Sequence, residues 1–166
     1  MIKLIACMAK NRVIGNDGNL PWKCKEDMEF FKEHTTTHYV LMGRKTADSI
    51  KNGQLPNRTN YVVSSSHIKE EIILPWRTNV ISVQSGIDHY LRSCKTYSSW
   101  PILDLWVIGG ASIYEQTLPI ANELYLNVLE DEYDGDTYFP EITRECDVEI
   151  TSYDHNKFKT YHYIFK

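Results

Sequence analysis

The sequence lacks the marks of several large classes of protein. No stretch approaches the length of a membrane-spanning helix, and the N-terminal MIKLIACMAKNR does not have the layout of a signal peptide. Lys and Arg total 18 against 22 Asp and Glu and form no basic run, which argues against nucleic acid as a partner. We therefore expect a soluble cytoplasmic protein that binds neither membrane nor nucleic acid.

A disulfide or metal framework is missing as well. The four cysteines have neither zinc-ligand nor redox-pair spacing, as is typical of apolar filler residues in a reducing compartment; they are Cys7, Cys24, Cys94 and Cys146. His34 and His38 are four residues apart, but three threonines break the helix that would align them. The acidic stretch 130–141 lacks the Asp or Asn ligands that open a calcium loop. We expect no metal site.

What is present suits one compact domain. The chain has 166 residues, of which 42% are hydrophobic and 12% aromatic, enough for a core without covalent staples. Apolar β-rich runs predict strands at 2–9, 39–43, 60–65, 79–83, 103–108 and 123–130, with a hairpin over 147–153 and 158–165. Helical patterns occupy 23–34, 44–50, 86–94 and 111–118, and loops 11–22 and 51–58. This order predicts an α/β fold: a central, mostly parallel twisted sheet with an antiparallel C-terminal strand and helices on both faces.

Ligands of such sheets bind beyond the carboxyl ends of the strands, where three turns stand out. Gly109-Gly110, between a strand and a helix, can bring backbone N–H groups to a phosphate or form only a tight turn, and the pattern leaves both open. GRKT (43–46) also opens a helix after a strand, but His38 stands where a P-loop needs its first glycine. Its basic residues still suit a phosphate, and two serines (64–65) end a neighbouring strand.

Asp27 is out of pattern. It shares a helical face with three apolar residues, Cys24, Met28 and Phe31. An acid in the first turn complements the helix dipole, but Glu26 can do so from the solvent side. A partly buried carboxylate is costly unless it is paired, and this face offers no basic residue. We therefore predict a functional site in which a ligand donates hydrogen bonds to Asp27.

Seven segments, in order and in register, closely resemble bacterial-type dihydrofolate reductases. They are IKLIACMAKNRVIG (2–15), NLPW (19–22), EDMEFFKEHT (26–35), VLMGRKTADSI (40–50), LPNRTNYVVSS (55–65), VIGGASIYEQ (107–116) and GDTYFP (135–140). The resemblance spans nearly the whole chain and is weakest over 66–103. It implies one monomeric domain with an adenosine-binding lobe over roughly 38–106. The implied activity is NADPH-dependent reduction of 7,8-dihydrofolate to 5,6,7,8-tetrahydrofolate, a step of one-carbon metabolism that folate analogues inhibit.

On the substrate side, the resemblance implies that Asp27 accepts hydrogen bonds from the pterin's 2-amino group and N3–H. It would favour protonation of N5, by water, ahead of hydride transfer to C6. Arg58 would pair with the glutamate carboxylate of folate. The implied apolar walls are Ile5, Ala6, Met28, Phe31, Ile50 and Leu55. Leu20, in a mobile loop, and Trp22, an indole that bounds the site, would complete the catalytic set.

On the cofactor side, the resemblance implies a cis Gly109-Gly110 pair beside the phosphates and a 2′-phosphate site at GRKT and the two serines. Tyr114 would lie near the nicotinamide. The whole implied NADPH set is Ala6, Cys7, Ile14, Gly15, Asn19, Leu20, Gly43, Arg44, Lys45, Thr46, Ser64, Ser65, Ile108, Gly109, Gly110, Ala111, Ser112, Ile113, Tyr114 and Thr137.

Two positions depart from the family pattern. Asn127 stands where the family usually has a Thr that bridges the acid and the pterin through water; an amide also has an acceptor and donors, so Asn127 stays a predicted site residue. Ser112 replaces a residue that is often Arg. Two other functions remain open: the reductase of riboflavin synthesis on the same fold, and a non-catalytic dinucleotide-binding module. Neither needs a pterin-binding acid at Asp27.

Overall fold

The computed structural model describes residues 1–64, 71–74, 76–96, 103–152 and 157–166. The strands are β1 (Ile2–Met8), β2 (Val13–Gly15), β3 (Tyr39–Gly43), β4 (Thr59–Val63), β5 (Ile72–Leu74), β6 (Arg77–Val80), β7 (Leu105–Val107), β8 (Glu123–Leu129), β9 (Thr137–Tyr138), β10 (Cys146–Ser152) and β11 (Phe158–Phe165). The α-helices are α1 (Lys25–Thr35), α2 (Arg44–Ser49), α3 (Val83–Thr96) and α4 (Ala111–Thr117). Short 3₁₀ turns cover Lys51–Gly53 and Leu118–Ile120.

Nine strands form one sheet in the order β10-β11-β8-β1-β7-β3-β4-β6-β5. The pairs from β8 through β1, β7, β3 and β4 to β6 are all parallel, and β5, β11 and β10 are antiparallel to their neighbours. The predicted α/β class, with a mostly parallel sheet and an antiparallel C-terminal strand, is confirmed. The carboxyl ends of six parallel strands therefore meet at one edge.

The helices cover both faces of this sheet, because side chains along each strand alternate between them. Leu4 of β1 packs in the larger core cluster, which includes Ile87 of α3 and Ile113 of α4. Ile5, the next residue, packs in a second cluster with Phe30 of α1. The two apolar clusters hold the three layers together.

Helix α1 ends where the sequence predicts. The hydroxyls of Thr35 and Thr36 donate to the carbonyl oxygens of Phe31 and Lys32, at 2.7 and 2.6 Å. Each hydroxyl bonds back to the preceding turn, and the Thr36 N–H also donates to the Lys32 carbonyl, at 3.0 Å, as the last backbone bond of the helix. The run of β-branched threonines thus closes the helix that carries Asp27.

Several local predictions are wrong. The predicted loop 11–22 contains β2, which pairs with β9 in a small second sheet. The predicted strand 79–83 ends at Val80, because the Ser82 hydroxyl accepts the N–H of Ser85 at 3.0 Å and caps α3. In the C-terminal hairpin, His162 is half-buried and stacks on Tyr125, with ring centroids 4.1 Å apart.

No helix in the described ranges is long and apolar enough to cross a membrane. Across the same residues, no group of three or more His, Cys, Asp or Glu side chains is arranged to hold a metal ion. All four cysteines are free thiols.

Candidate active site

Asp27 is buried between α1 and the carboxyl ends of β1 and β8. Its side chain is 8% exposed, so the prediction that it turns toward the interior is confirmed. Its partner is an amide rather than a base: Nδ2 of Asn127 donates to Oδ1 of Asp27 at 2.8 Å. The thiol of Cys7, which lies opposite Asn127 in the β1–β8 pair, also hydrogen-bonds Asp27.

Burial around Asp27 shifts the pKa of Asp27 itself and of two nearby acids. Burial raises the pKa of Asp27, although the hydrogen bonds from Asn127 and Cys7 lower it. Burial and the charge of Asp27 in turn raise the pKa of the Cys7 thiol and of the Tyr114 phenol. A carboxylate offers about four lone pairs, so acceptor capacity remains on Asp27 for a ligand.

An apolar wall continues from Asp27 along α1. Phe31 lies one turn later and borders the second core cluster, together with Ile50, Leu55 and the buried Ile5. The structure thus brings four of the six predicted wall residues to one cluster. The guanidinium of Arg58 lies 5.7 Å from the centre of the Phe31 ring.

Arg58 is a buried cation without a carboxylate partner among the described residues. It is 5% exposed, and burial lowers its pKa. Its Nε donates to the Thr35 hydroxyl at 2.9 Å, Nη1 to the Pro56 carbonyl at 2.7 Å and Nη2 to the Thr36 hydroxyl at 3.3 Å. These bonds orient the guanidinium group but do not neutralise its charge, as suits a site for an anionic ligand.

The remaining wall residues differ from expectation. Met28 does not share the buried face of α1: it is 55% exposed, and Phe30 fills the core instead. The side chain of Ala6 belongs to the cluster on the opposite face of the sheet from Ile5. Whether either residue contacts a substrate stays a prediction.

The segment before α1 combines a buried indole with an exposed turn. Trp22 is 7% exposed and packs edge-on against Tyr133, and its Nε1 has no partner among the described protein atoms. Residues 16–19 form a two-residue turn with positive φ at Asp17 and Gly18, closed by reciprocal backbone bonds of 2.8 and 3.0 Å. Leu20, after this turn, is 51% exposed.

At the edge predicted to hold the cofactor, β3 and β7 end against each other. The Gly43 N–H donates to the Gly109 carbonyl at 2.8 Å, and the Gly109-Gly110 peptide is cis, as the resemblance implies. Gly109 has φ of 105°, and a Cβ there would lie 3.0 Å from the ring of Tyr114. Tyr114 itself donates to the Ile5 carbonyl at 2.8 Å and so ties α4 to the strand beside Asp27.

The basic turn at the start of α2 is more open. Nη1 of Arg44 pairs with Asp48 one turn along the same helix at 2.8 Å, while Lys45 is exposed. Ser64 is buried after β4, and Ser65 lies outside the described residues. A Cβ on Gly110 would meet only the Thr46 hydroxyl, at 3.4 Å, so the space beside Gly110 is open to a ligand.

The other predicted cofactor residues fall into two groups. Thr137 pairs with Gly15, beside Ile14 on β2, and Asn19 bonds the Asp17 carbonyl in the adjoining turn. The second group follows β7: it comprises Ile108, Ala111, Ser112 and Ile113. Ser112 accepts a hydrogen bond from Gln116, at 3.2 Å, where the family often has a cation.

Two polar residues beside the site escaped sequence reasoning. Thr160 is 4% exposed and donates to Oδ1 of Asn127 at 2.6 Å. Asp136 accepts the Asp17 N–H at 3.0 Å and donates its own N–H to the Gly15 carbonyl at 3.1 Å. The Asp-Gly pair at 17–18 is a sequence signal for the turn itself. Neither Thr160 nor Asp136 can be found from the sequence, because their contacts depend on how the strands pair.

Comparison with known proteins identifies this constellation. A sequence model of the family described as "Dihydrofolate reductase" matches residues 1–166. The chain belongs to the dihydrofolate reductase family. The dihydrofolate reductase of Buchnera aphidicola subsp. Acyrthosiphon pisum (strain APS) is 39% identical over 140 residues, covering 84% of this chain and 79% of the relative. That of Bacillus subtilis (strain 168) is 39% identical over 141 residues, covering 85% and 76%.

A solved structure agrees with these relatives. Dihydrofolate reductase from Enterococcus faecalis, complexed with NADP(H) and RAB-propyl, superposes with a TM-score of 0.75 at 26% identity, covering 100% of this chain and 96% of that one. The chain is thus a dihydrofolate reductase, an oxidoreductase that uses NADPH to reduce dihydrofolate. The predicted family, fold and cofactor are confirmed, and the two other functions are not favoured.

Proposed function

We propose that Asp27 is the group that binds and polarises the pterin ring during this reduction. The observation that carries the proposal is a carboxylate buried without a cationic partner among the described residues. The pterin's 2-amino group and N3–H can donate two parallel hydrogen bonds to it. Its charge favours a protonated pterin, so that N5 takes a proton from water. NADPH, when bound, supplies the hydride to C6.

Arg58 would hold the other end of the substrate. A buried guanidinium with no acidic partner in the described chain matches the glutamate carboxylate of folate in charge and in bidentate geometry. Phe31, beneath Arg58 and one turn from Asp27, would line the space between the two charges, with Ile50 and Leu55. Asn127 keeps one amide N–H after its bond to Asp27 and can donate it toward the pterin side.

The residues at the cofactor edge fit NADPH. The open space beside Gly110 would let phosphate oxygens approach the backbone, and Arg44 and Lys45 supply the charge, and Thr46 a hydroxyl donor, that suit a 2′-phosphate. Leu20 and Trp22 would shield the nicotinamide from water. Residues 38–106 would form the adenosine-binding lobe. We also propose a monomer that works in a reducing cytoplasm, consistent with four free thiols, and that does not bind nucleic acid.

The direct test follows the nicotinamide absorbance when the purified protein is mixed with NADPH and dihydrofolate. Oxidation of NADPH should require dihydrofolate and yield one tetrahydrofolate for each NADPH consumed. The pyrimidine substrate of the riboflavin pathway reductase, offered in place of dihydrofolate, should give no turnover. NADPH binding without turnover of either substrate would leave only a binding module.

A further inference from the structure

Asn127 lies between two side chains that the sheet pairing places directly opposite it. On one side, β1 aligns Cys7 with Asn127, and on the other, β11 aligns Thr160 with Asn127. Directly paired residues point to the same face of a sheet, here the face covered by Asp27 of α1. Asn127 is 1% exposed and Thr160 is 4% exposed, so water competes little for their hydrogen bonds.

The hydrogen bonds that link Thr160, Asn127 and Asp27 all donate toward Asp27. The Thr160 hydroxyl donates to Oδ1 of Asn127 at 2.6 Å, and Nδ2 of Asn127 donates to Oδ1 of Asp27 at 2.8 Å. An ionised carboxylate only accepts hydrogen bonds, so the amide must present its N–H side to Asp27. The opposite amide orientation would bring two oxygens together unless Asp27 were protonated.

We propose that Thr160 is a positioning residue for the catalytic carboxylate: its hydroxyl holds the Asn127 amide with the N–H side toward Asp27. The inference rests on the proposed role of Asp27 and deepens it. The Thr160 hydroxyl is bonded to Asn127 and acts on Asp27 through that amide. The arrangement needs a side chain at position 127 that accepts from Thr160 and donates to Asp27, and the Asn127 amide does both.

Other titratable groups near Asp27 also affect its ionisation. The titratable side chains near it are Cys7 of β1, Cys24 just before α1 and Tyr114 of α4. None of the three is a cation, so hydrogen bonds are what offset the burial of Asp27. Removing the Thr160 hydroxyl leaves Oδ1 of Asn127 without its donor. If the Asn127 amide then rotated by 180° to find another donor, its oxygen would face Asp27. That orientation favours the protonated form of the Asp27 carboxyl.

The experiment measures the ionisation of Asp27 directly. Carboxyl ¹³C resonances of ligand-free protein would be titrated in wild type, Thr160→Val and Thr160→Ser, alongside the pH dependence of kcat/KM. We expect Thr160→Val to raise the pKa of Asp27 by about half a unit to one unit, the size that one neutral hydrogen bond supplies. The limb of the pH profile of kcat/KM that reports the ionisation of Asp27 should shift by the same amount. Thr160→Ser, which keeps the hydroxyl, should restore wild-type values.

Two controls separate positioning from general damage. Thr78→Val removes a buried hydroxyl on β6, away from Asp27, and should leave the titration unchanged. In an Asn127→Leu background, Thr160→Val should no longer shift the pKa of Asp27, because the side chain that relays its effect is gone. An equal shift in that background, or no shift in Thr160→Val, would overturn the proposal; Thr160→Ala provides the same reading if the valine variant does not fold. Failure of the role of Asp27 itself appears separately, as normal turnover in Asp27→Asn.

Discussion

The proposed substrate side and the proposed cofactor side of this site are built differently. On the substrate side, Asp27 and Arg58 are both more than nine-tenths buried, and side chains from other elements hold them in place. On the cofactor side, the charges lie near the surface: Lys45 is exposed, and Arg44 pairs with Asp48 on its own helix. On that side, the space beside Gly110 is bordered only by the Thr46 hydroxyl.

This contrast predicts different sensitivities to mutation. A buried charge without a counter-ion is costly until a ligand meets it, so one substitution on the substrate side should remove a large interaction. An exposed ion pair contributes little because water and salt screen it. Substitutions on the cofactor side should therefore give smaller, graded effects.

The largest effect is expected for Asp27→Asn. The amide offers one acceptor oxygen to two pterin donors and turns its NH₂ toward one of them, so turnover at neutral pH should fall roughly 10²–10⁴-fold. Glu26→Gln is the matched control, since that neighbouring carboxylate pairs with Lys157 at 2.6 Å outside the proposed site. A folded Asp27→Asn enzyme with near-normal turnover at neutral pH would remove Asp27 from the mechanism.

The same substitution should stabilise the protein. Burial raises the pKa of Asp27 in the folded state, so its ionised form disfavours folding, and this cost disappears as pH falls to the unfolded-state pKa. Asp27→Asn should therefore raise the melting temperature at neutral pH, and the gain should shrink in acid. Thermal denaturation across this pH range measures it; a gain that grows toward acid would contradict the sign.

Arg58→Ala should give the next largest effect. Losing a bidentate bond to a carboxylate should raise KM for dihydrofolate about 10- to 100-fold, with little change in NADPH affinity. Arg58 also bonds Thr35 and Thr36, so the melting temperature must be followed in parallel. Arg77→Ala also removes an arginine that is bonded within the protein, to the Gly53 carbonyl, and is the control for the structural effect of losing such bonds. An unchanged KM would place Arg58 outside the site.

The sequence alone predicts the two sides unequally. Asp27 could be found because an acid on an apolar face breaks a helical pattern, and the glycine and GRKT turns could be found because they follow strands. Arg58 came only from the family resemblance, since a lone arginine in a loop breaks no pattern. Thr160 could not be found at all, because its position depends on the register between β8 and β11.

Errors in the fold prediction have similar causes. Met28 was assigned to the buried face from the helical period alone, whereas tertiary packing chose Phe30. The strands β2 and β5 are three residues long, too short for a period to show. The parallel sheet was predictable because its strands are continuous apolar runs separated by helices.

On the cofactor side, Arg44→Ala/Lys45→Ala should lower the preference for NADPH over NADH, measured as the ratio of kcat/KM, by roughly tenfold. Asp48→Asn should raise that ratio by only about two- to fivefold, because it releases Arg44 from an exposed ion pair. Lys51→Ala, an exposed cation beyond α2, should leave it unchanged. If the double variant keeps the full preference, the 2′-phosphate is bound elsewhere.

The smallest effect is expected in the turn before α1, which borders both sides. Hydrogen exchange of residues 16–20 should be faster without ligand and slower with NADPH, because Leu20 is half exposed and would be covered by a cofactor bound at the proposed site. Asp136→Ala should speed exchange in both states, since Asp136 accepts the Asp17 N–H at 3.0 Å. Asp134→Ala, an exposed acid in the same loop, is the matched control.

The anchor at Asp136 also has a predictable pH dependence. Hydrogen bonds from Thr137 and from the Asp17 N–H lower the pKa of Asp136, so its contribution is complete above the unfolded-state pKa and is lost as pH falls through the lowered one. Protection of the turn, corrected for the intrinsic exchange rate, should therefore fade in acid in wild type and remain flat in Asp136→Ala. Equal protection with and without NADPH would mean that the turn is not a lid. Equal protection in wild type and Asp136→Ala would mean that Asp136 does not hold it.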